Sequence, residues 1–242
     1  MRLDKIISLA YGCKNPLLVL ECLNEKSCCP EFATIVASTS PRLQRGRTAG
    51  NDLVFCNTMS GDKYLISDKS GCYFVTFTVI HWIDIFSRRE YRDIIVDSLN
   101  YCIKEKELVV YGWVIMSNHI HLIITTKTDE GNISGIIRDF KKFTSKAISK
   151  AIQEIPESRR EWLLNAMSKE AKRIGRATYY KLWKDDNHAV TIDGKIVGVK
   201  KRLNYIHDNP VRNGLVDEPW DYIYSSARDY QGRKGLVNIE FV

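Results

Sequence analysis

Between residues 72 and 153 the apolar residues switch between two spacings, and the order of switching limits the fold more than any other feature of the chain. The segment 72–82, CYFVTFTVIHW, is rich in β-branched and aromatic residues, as a buried strand requires. Residues 88–105 then place Tyr91, Ile94, Ile95, Leu99, Cys102 and Ile103 on one helical stripe. Two further strands are predicted at 107–116 (ELVVYGWVIM) and 119–126 (HIHLIITT), joined through Ser117 and Asn118. A long helix is predicted at 132–153, its apolar face carrying Ile133, Ile136, Ile137, Phe140, Phe143, Ala147, Ile148 and Ala151. Strand, helix, strand, strand, helix is the order of an α+β layer, with helices on one side of an antiparallel sheet. The stretch 178–183 (TYYKLW) is the candidate fourth strand. Further on, 158–173 and 196–208 read as helices, with Pro210 and Gly214 breaking the chain after the second. Residues Tyr222 to Tyr230 read as a last short helix and LVNIEFV at 236–242 as a closing strand.

The chain changes character near Met59. Residues 1–58 show neither period and read as loop, most plainly in STSPRLQRGRTAG at 38–50. They are expected to be a poorly ordered extension, or upstream sequence ahead of a start at Met59, with a small accessory domain as the rival. Residues 59–242 then form the folded domain, with a core at about 72–185 and a C-terminal helical region at about 186–242. Five of the seven cysteines, Cys13, Cys22, Cys28, Cys29 and Cys56, lie in the extension. None of the seven forms a CxxC pair, which argues against a structural zinc site, and the odd count without an export signal argues for reduced thiols.

Apolar residues make up 44% of the 242, enough for a core, and no run is long enough to span a bilayer. Asp4 and Lys14 interrupt the two apolar patches near the start, so the N-terminus does not read as an export signal. A cytoplasmic protein is expected, with no membrane partner. The formal charge of +7 is compatible with a phosphate-bearing partner. It concentrates on the predicted helix 132–153, where Arg138, Lys141, Lys142, Lys146 and Lys150 face a single acid before the last turn, Asp139. Such a face suits a phosphate backbone, although most charged helix faces are simply solvated.

The residues that point to chemistry are His119 and His121. Strand side chains alternate faces, so both imidazoles leave one side while Ile120 leaves the other. Two imidazoles so spaced can chelate one divalent ion and leave room for a third ligand, a water and a phosphate oxygen. A chance pair in an apolar strand is the competing reading. It carries a desolvation cost unless something pairs the rings.

Four segments, YFVTFTVIHWIDIF, YGWVIMSNHIHLII, ISGIIRDFKKFTSK and LNYIHDNPVRNGLV, resemble the REP-associated tyrosine transposases of the HUH single-strand transposase superfamily, over residues of about 60–240. The resemblance implies a ferredoxin-like core and an HUH pair, here His119 and His121, holding Mg²⁺ or Mn²⁺. It also implies recognition of single-stranded DNA hairpins, metal-dependent endonuclease chemistry through a tyrosine that becomes a 5′-phosphotyrosine, and a possible homodimer. The nucleophile is expected on the helix after the histidine strand, where this chain has Phe143, and a third ligand near Ala147. Neither side chain can serve. Tyr205 is the best-placed substitute, with Tyr179 or Tyr180 behind it, and His207 or Asp208 is a possible further ligand. Alternatively a metal-bound water attacks, or the protein is a domesticated relative that binds hairpins without cutting. A small-molecule metalloprotein on the same fold is the most distant alternative. Arg202 and Arg212 flank the LNYIHDNP turn as further DNA contacts, while Trp183, Asn187 and His188 suit either base stacking or packing.

Overall fold

The computed structural model describes residues 66, 68, 71–128, 130–175, 179–192 and 196–242. The extension 1–58 lies outside them, and the described residues all fall in the unit that begins at Asn57. Strands β1 (Tyr73–Thr78), β2 (Leu108–Ile115), β3 (His119–Thr126) and β4 (Val190–Thr191) form one sheet in the order β2-β3-β1-β4. Every neighbouring pair is antiparallel. Helix α1 (Arg89–Glu105) connects β1 to β2, and α2 (Ile133–Glu154) follows β3. The order is that of a ferredoxin-like layer. Helices α3 (Arg160–Ile174), α4 (Ile196–Arg212) and α5 (Ala227–Tyr230) complete it. Among the described residues no helix is long and apolar enough to cross a membrane.

Strand alternation sorts the sheet into two faces. Tyr73, Val75 and Phe77 of β1, Val110, Trp113 and Ile115 of β2, and Ile120, Leu122 and Ile124 of β3 pack against α1 and α2 in the main core. The opposite face carries Phe74, Val114 and Ile123, and a helix of the C-terminal region covers it. Helix α4 lies on this second face, where Val199, Leu203 and Ile206 close a smaller core. Spacings of four and three put these three residues on one helical stripe, which must be buried against something. The main core already covers the other face, so the second face receives it.

Gly112 makes that docking possible. It sits at an irregularity in the β2–β3 pairing, and a Cβ built there would lie 2.6 Å from Leu203 Cδ1. A side chain at this position would force the Leu203 methyl out of its place in the small core.

Several boundaries differ from the sequence reading. The fourth strand is Val190–Thr191, not 178–183; of the described part of that stretch, Trp183 makes a single bridge to Val79. Trp183 is instead a core residue, its Nε1 donating to Thr144 Oγ1 at 2.9 Å. Residues 222–226 run beside β2 as turns around a single bridge from Ser225 to Val114, with Ile115 N donating to Tyr224 O and Ser226 N to Trp113 O, so only Ala227–Tyr230 is helical. The closing segment 236–242 forms no strand: its contact with the sheet edge is a bond from Glu240 N to Val110 O, while Asn100 binds its Leu236 and Asn238 backbone. Pro210 does not end α4, because it lies in the last turn, where a missing N–H removes one bond, and Arg212 is still helical.

Phe143 is corrected too. At 100° per residue it lies about 100° from the centre of the stripe marked by Ile133, Phe140 and Ile148, and it is 60% exposed. Thr144 takes the core position.

Replacing Gly112 with alanine should cost about 1–3 kcal/mol, the range for overpacking a filled core. Urea unfolding of the variant and parent would measure it, and an unchanged midpoint would mean that α4 does not press on β2.

Candidate active site

His119 and His121 both project from β3 onto the face that α4 covers. Their ring centroids are 4.7 Å apart. The β1–β3 register sets Thr78 opposite His119 and Thr76 opposite His121. Thr76 Oγ1 lies 2.8 Å from His121 Nδ1, and Asn118 Oδ1 lies 2.7 Å from His119 Nδ1. With each Nδ1 carrying the proton toward its oxygen, each Nε2 presents a lone pair. His121 Nε2 is buried and has no hydrogen-bond partner. A buried ring nitrogen without a partner is costly, and a cation is the ligand that a neutral imidazole lone pair would accept. The donor set therefore fits a divalent metal.

Burial keeps both rings neutral. It lowers the pKa of His119 to about 4 and that of His121 to about 3, the latter helped by the neighbouring His119. His121 is only 5% exposed. Phe74 stacks on it with ring centroids 5.3 Å apart and planes 22° apart.

Helix α4 brings Tyr205 to the same place. Its ring centroid is 5.5 Å from that of His121 and 6.1 Å from that of Phe74, edge-on to both. It is 38% exposed, so the phenol lies at the mouth of the site, not inside the core. Two cations flank it: the Arg212 guanidinium lies 5.8 Å over the Tyr205 ring and that of Arg202 5.0 Å over Phe74. One helical turn beyond Tyr205, Asn209 is buried, its Oδ1 accepting from Asn213. Sequence reasoning passed over Asn209; its spacing of four from Tyr205 was the available signal.

The other candidates separate. Phe143 and Ala147 ride on α2, across the sheet from the histidines, so the expected nucleophile and ligand slots there are not at this site. Tyr179 and Tyr180 also lie on the α2 side, in a groove of about 1200 Å³ lined by Arg138, Lys142, Lys146 and Lys150. Lys141 is held inward by the Lys184 and Asp186 carbonyls and Asn187 Oδ1, and burial lowers its pKa to about 8. Lys150 pairs with Glu154. His207 turns to Ser226 Oγ at 2.9 Å, and His188 pairs with Asp186. Among the described residues no third His, Cys, Asp or Glu joins the pair, Asp208 included.

A turn at residues 80–82 borders His119. His81 and Trp82 both have positive φ, 52° and 55°, which costs on the order of 1–3 kcal/mol each for residues that are not glycine. Asn118 Nδ2 donates to the Trp82 carbonyl and to Asp84, so one amide side chain steadies both His119 and this turn.

A family model described as IS200-like transposase matches residues 73–163. A solved structure, that of a REP-associated tyrosine transposase bound to a REP hairpin, is similar at 18% identity with a TM-score of 0.45, covering 71% of this chain and 87% of that one. No curated protein matches the chain.

Lowered histidine pKa values have a sign that can be checked. In the unfolded chain each imidazole takes up a proton near pH 6.5, whereas folded His121 resists until about 3. Metal-free protein should therefore hold its full stability above about 6.5 and lose it as pH falls toward 3. The slope is at most about 1.4 kcal/mol per pH unit for each such histidine. His207, lowered to about 4, adds to it in the same direction. Denaturant titrations at several pH values should show a shallower decline for His121→Asn than for the parent, and parallel curves would mean that His121 is not buried neutral.

Proposed function

We propose, on the premise that residues 73–163 match the IS200-like transposase family, that the chain binds hairpin-forming single-stranded DNA and cleaves and transfers a strand in transposition. The observation that carries the reading is the meeting of His119, His121 and Tyr205 on one face of the sheet, from two elements distant in sequence. His119 and His121 would hold Mg²⁺ or Mn²⁺ through Nε2. When bound, the metal supplies Lewis-acid polarisation of the scissile phosphate.

Tyr205 is the nucleophile in this reading. Its Oη attacks phosphorus, a Tyr–O–P bond forms, the bond to the 3′ oxygen breaks, and the phenolic proton ends on the released 3′-hydroxyl. Arg212 places positive charge beside the ring that attacks and Arg202 beside the neighbouring Phe74, where they can hold the flanking phosphates. Phe74 sets the tilt of Tyr205 against His121 and shields that end of the site from water. Arg138, Lys142, Lys146 and Lys150 form a separate track on the reverse face, suited to the backbone of a DNA stem or tail, with Lys141 anchored at its wall.

Labelled hairpin DNA incubated with the protein and Mn²⁺ tests the reading on a denaturing gel. A covalent protein–DNA band is expected, abolished by Tyr205→Phe and lowered at least 100-fold by His119→Ala, with band-shift affinity largely kept in both. Cleaved DNA without adduct would replace Tyr205 by water as the nucleophile. A shift without cleavage would make the chain a hairpin-binding relative, and cleavage that survives His119→Ala would remove the metal assignment.

A further inference from the structure

Trp82 has no place in the chemistry above, yet it is the least economical residue near it. Its ring is 56% exposed, its backbone lies in the left-handed region at φ 55°, and the preceding His81 does the same at φ 52°. A bulky aromatic residue in that conformation on the surface buries little to offset the strain. The turn is nevertheless firmly held. Val79 N donates to Asn118 O, Trp82 N to Val79 O, and Asn118 Nδ2 to Trp82 O.

The effect of the turn is to splay two rings apart. His81 is directed to Glu170, 3.8 Å away. Trp82 comes to stand beside His119, ring centroids 6.2 Å apart and planes 78° apart. The Lys184 ammonium lies 4.3 Å over the Trp82 ring, close enough for a cation–π contact. An exposed, oriented indole with a positive charge on one side, next to a metal-ligand candidate, has the parts that single-stranded nucleic acid recognition needs: for a base, the π-face turned away from Lys184, and for its phosphate, a cation.

We infer that Trp82 is a stacking platform for an unpaired base adjoining the scissile phosphate, with Lys184 holding the backbone beside it. The inference rests on the proposed DNA-cleaving function and adds to it a preference for hairpins with an unpaired flank over blunt stems. Stacking a base here would fix the phosphate relative to His119, because Asn118 ties the Trp82 turn and the His119 ring together.

The test is a binding series by fluorescence anisotropy. Three kinds of DNA are compared: a hairpin with unpaired flanks, the same hairpin with an abasic site at each flank nucleotide in turn, and a blunt hairpin. Glycine is the truncation least harmful to the fold, since residue 82 has positive φ, and thermal unfolding of Trp82→Gly should show no loss of stability. Trp82→Gly should bind flanked hairpin about tenfold more weakly, the order of one lost stacked base, and bind blunt hairpin as the parent does. Trp82→Phe should recover most of the affinity. At one abasic position the parent and Trp82→Gly should bind alike. Equal affinity of parent and Trp82→Gly for flanked hairpin overturns the inference, as does an equal loss on blunt DNA or the lack of any converging abasic position. If the parent binds none of the three, the DNA-processing reading itself falls, and this inference with it.

Discussion

The pairing of β1 with β3 is the constraint from which the site follows. Because successive side chains alternate faces, the register that buries Ile120, Leu122 and Ile124 beneath α1 and α2 also sends His119 and His121 to the other face. A slip by one residue would drive both imidazoles into the main core and move three large aliphatic side chains onto the second face. Core packing therefore selects the arrangement that delivers the histidine pair, and no separate device is needed to aim it. Thr76 is part of the same register: it stands opposite His121 and binds its Nδ1, which leaves Nε2 as the buried nitrogen without a partner.

A second layer turns that pair into a site. Helix α4 lies where Gly112 lets it approach β2, and its apolar side chains make only a small core. That small core has a chemical consequence. It dries His121, which lowers the ring's pKa, while the next residues of the same helix put Tyr205 at the rim. Phe74 links the two, in contact with His121, Tyr205 and the Arg202 guanidinium. Burial and reactivity are set by one helix, so its docking governs both.

The first three strands and the helices α1 to α4 were legible because each is long and strongly patterned. The HxH motif was legible for the same reason: alternation in a strand is a geometric statement about side-chain direction. The failures have a common cause. Phe143 looked like core because it is apolar, but helical phase, not hydrophobicity alone, decides which residue is buried, and Thr144 holds the inner position through bonds to Phe140 O and Trp183. The strands expected at 178–183 and 236–242 have strand-like composition, but β1 pairs instead with Val190–Thr191, and β2 is flanked by Tyr224–Ser226. Which edge a segment joins depends on long-range pairing that local propensity does not encode. The placement of α4 was recoverable in principle, since Val199, Leu203 and Ile206 form an apolar stripe with nowhere else to go. The role of Asn118 was not, because it depends on two consecutive left-handed residues, His81 and Trp82.

The site is graded from dry to wet, and that grading bears on how it can work. His121 is almost wholly enclosed, Tyr205 is partly open, and Trp82 is mostly exposed. In the proposed reading a flexible polyanion meets the open end, so Trp82, Arg202 and Arg212 would recognise it while the enclosed end stays preorganised. In such an interior a positive charge is poorly solvated, which is why the imidazoles stay neutral. A divalent cation is tolerated there only when neutral lone pairs and anionic oxygens surround it together. The protein side supplies two neutral nitrogens and, among the described residues, no carboxylate in the same cluster. In the proposed reading the missing negative charge would come from the phosphate of the bound strand. Metal and DNA should on this argument bind cooperatively, each weak without the other, and that coupling restricts Lewis-acid activation to the moment when a phosphate lies beside Tyr205.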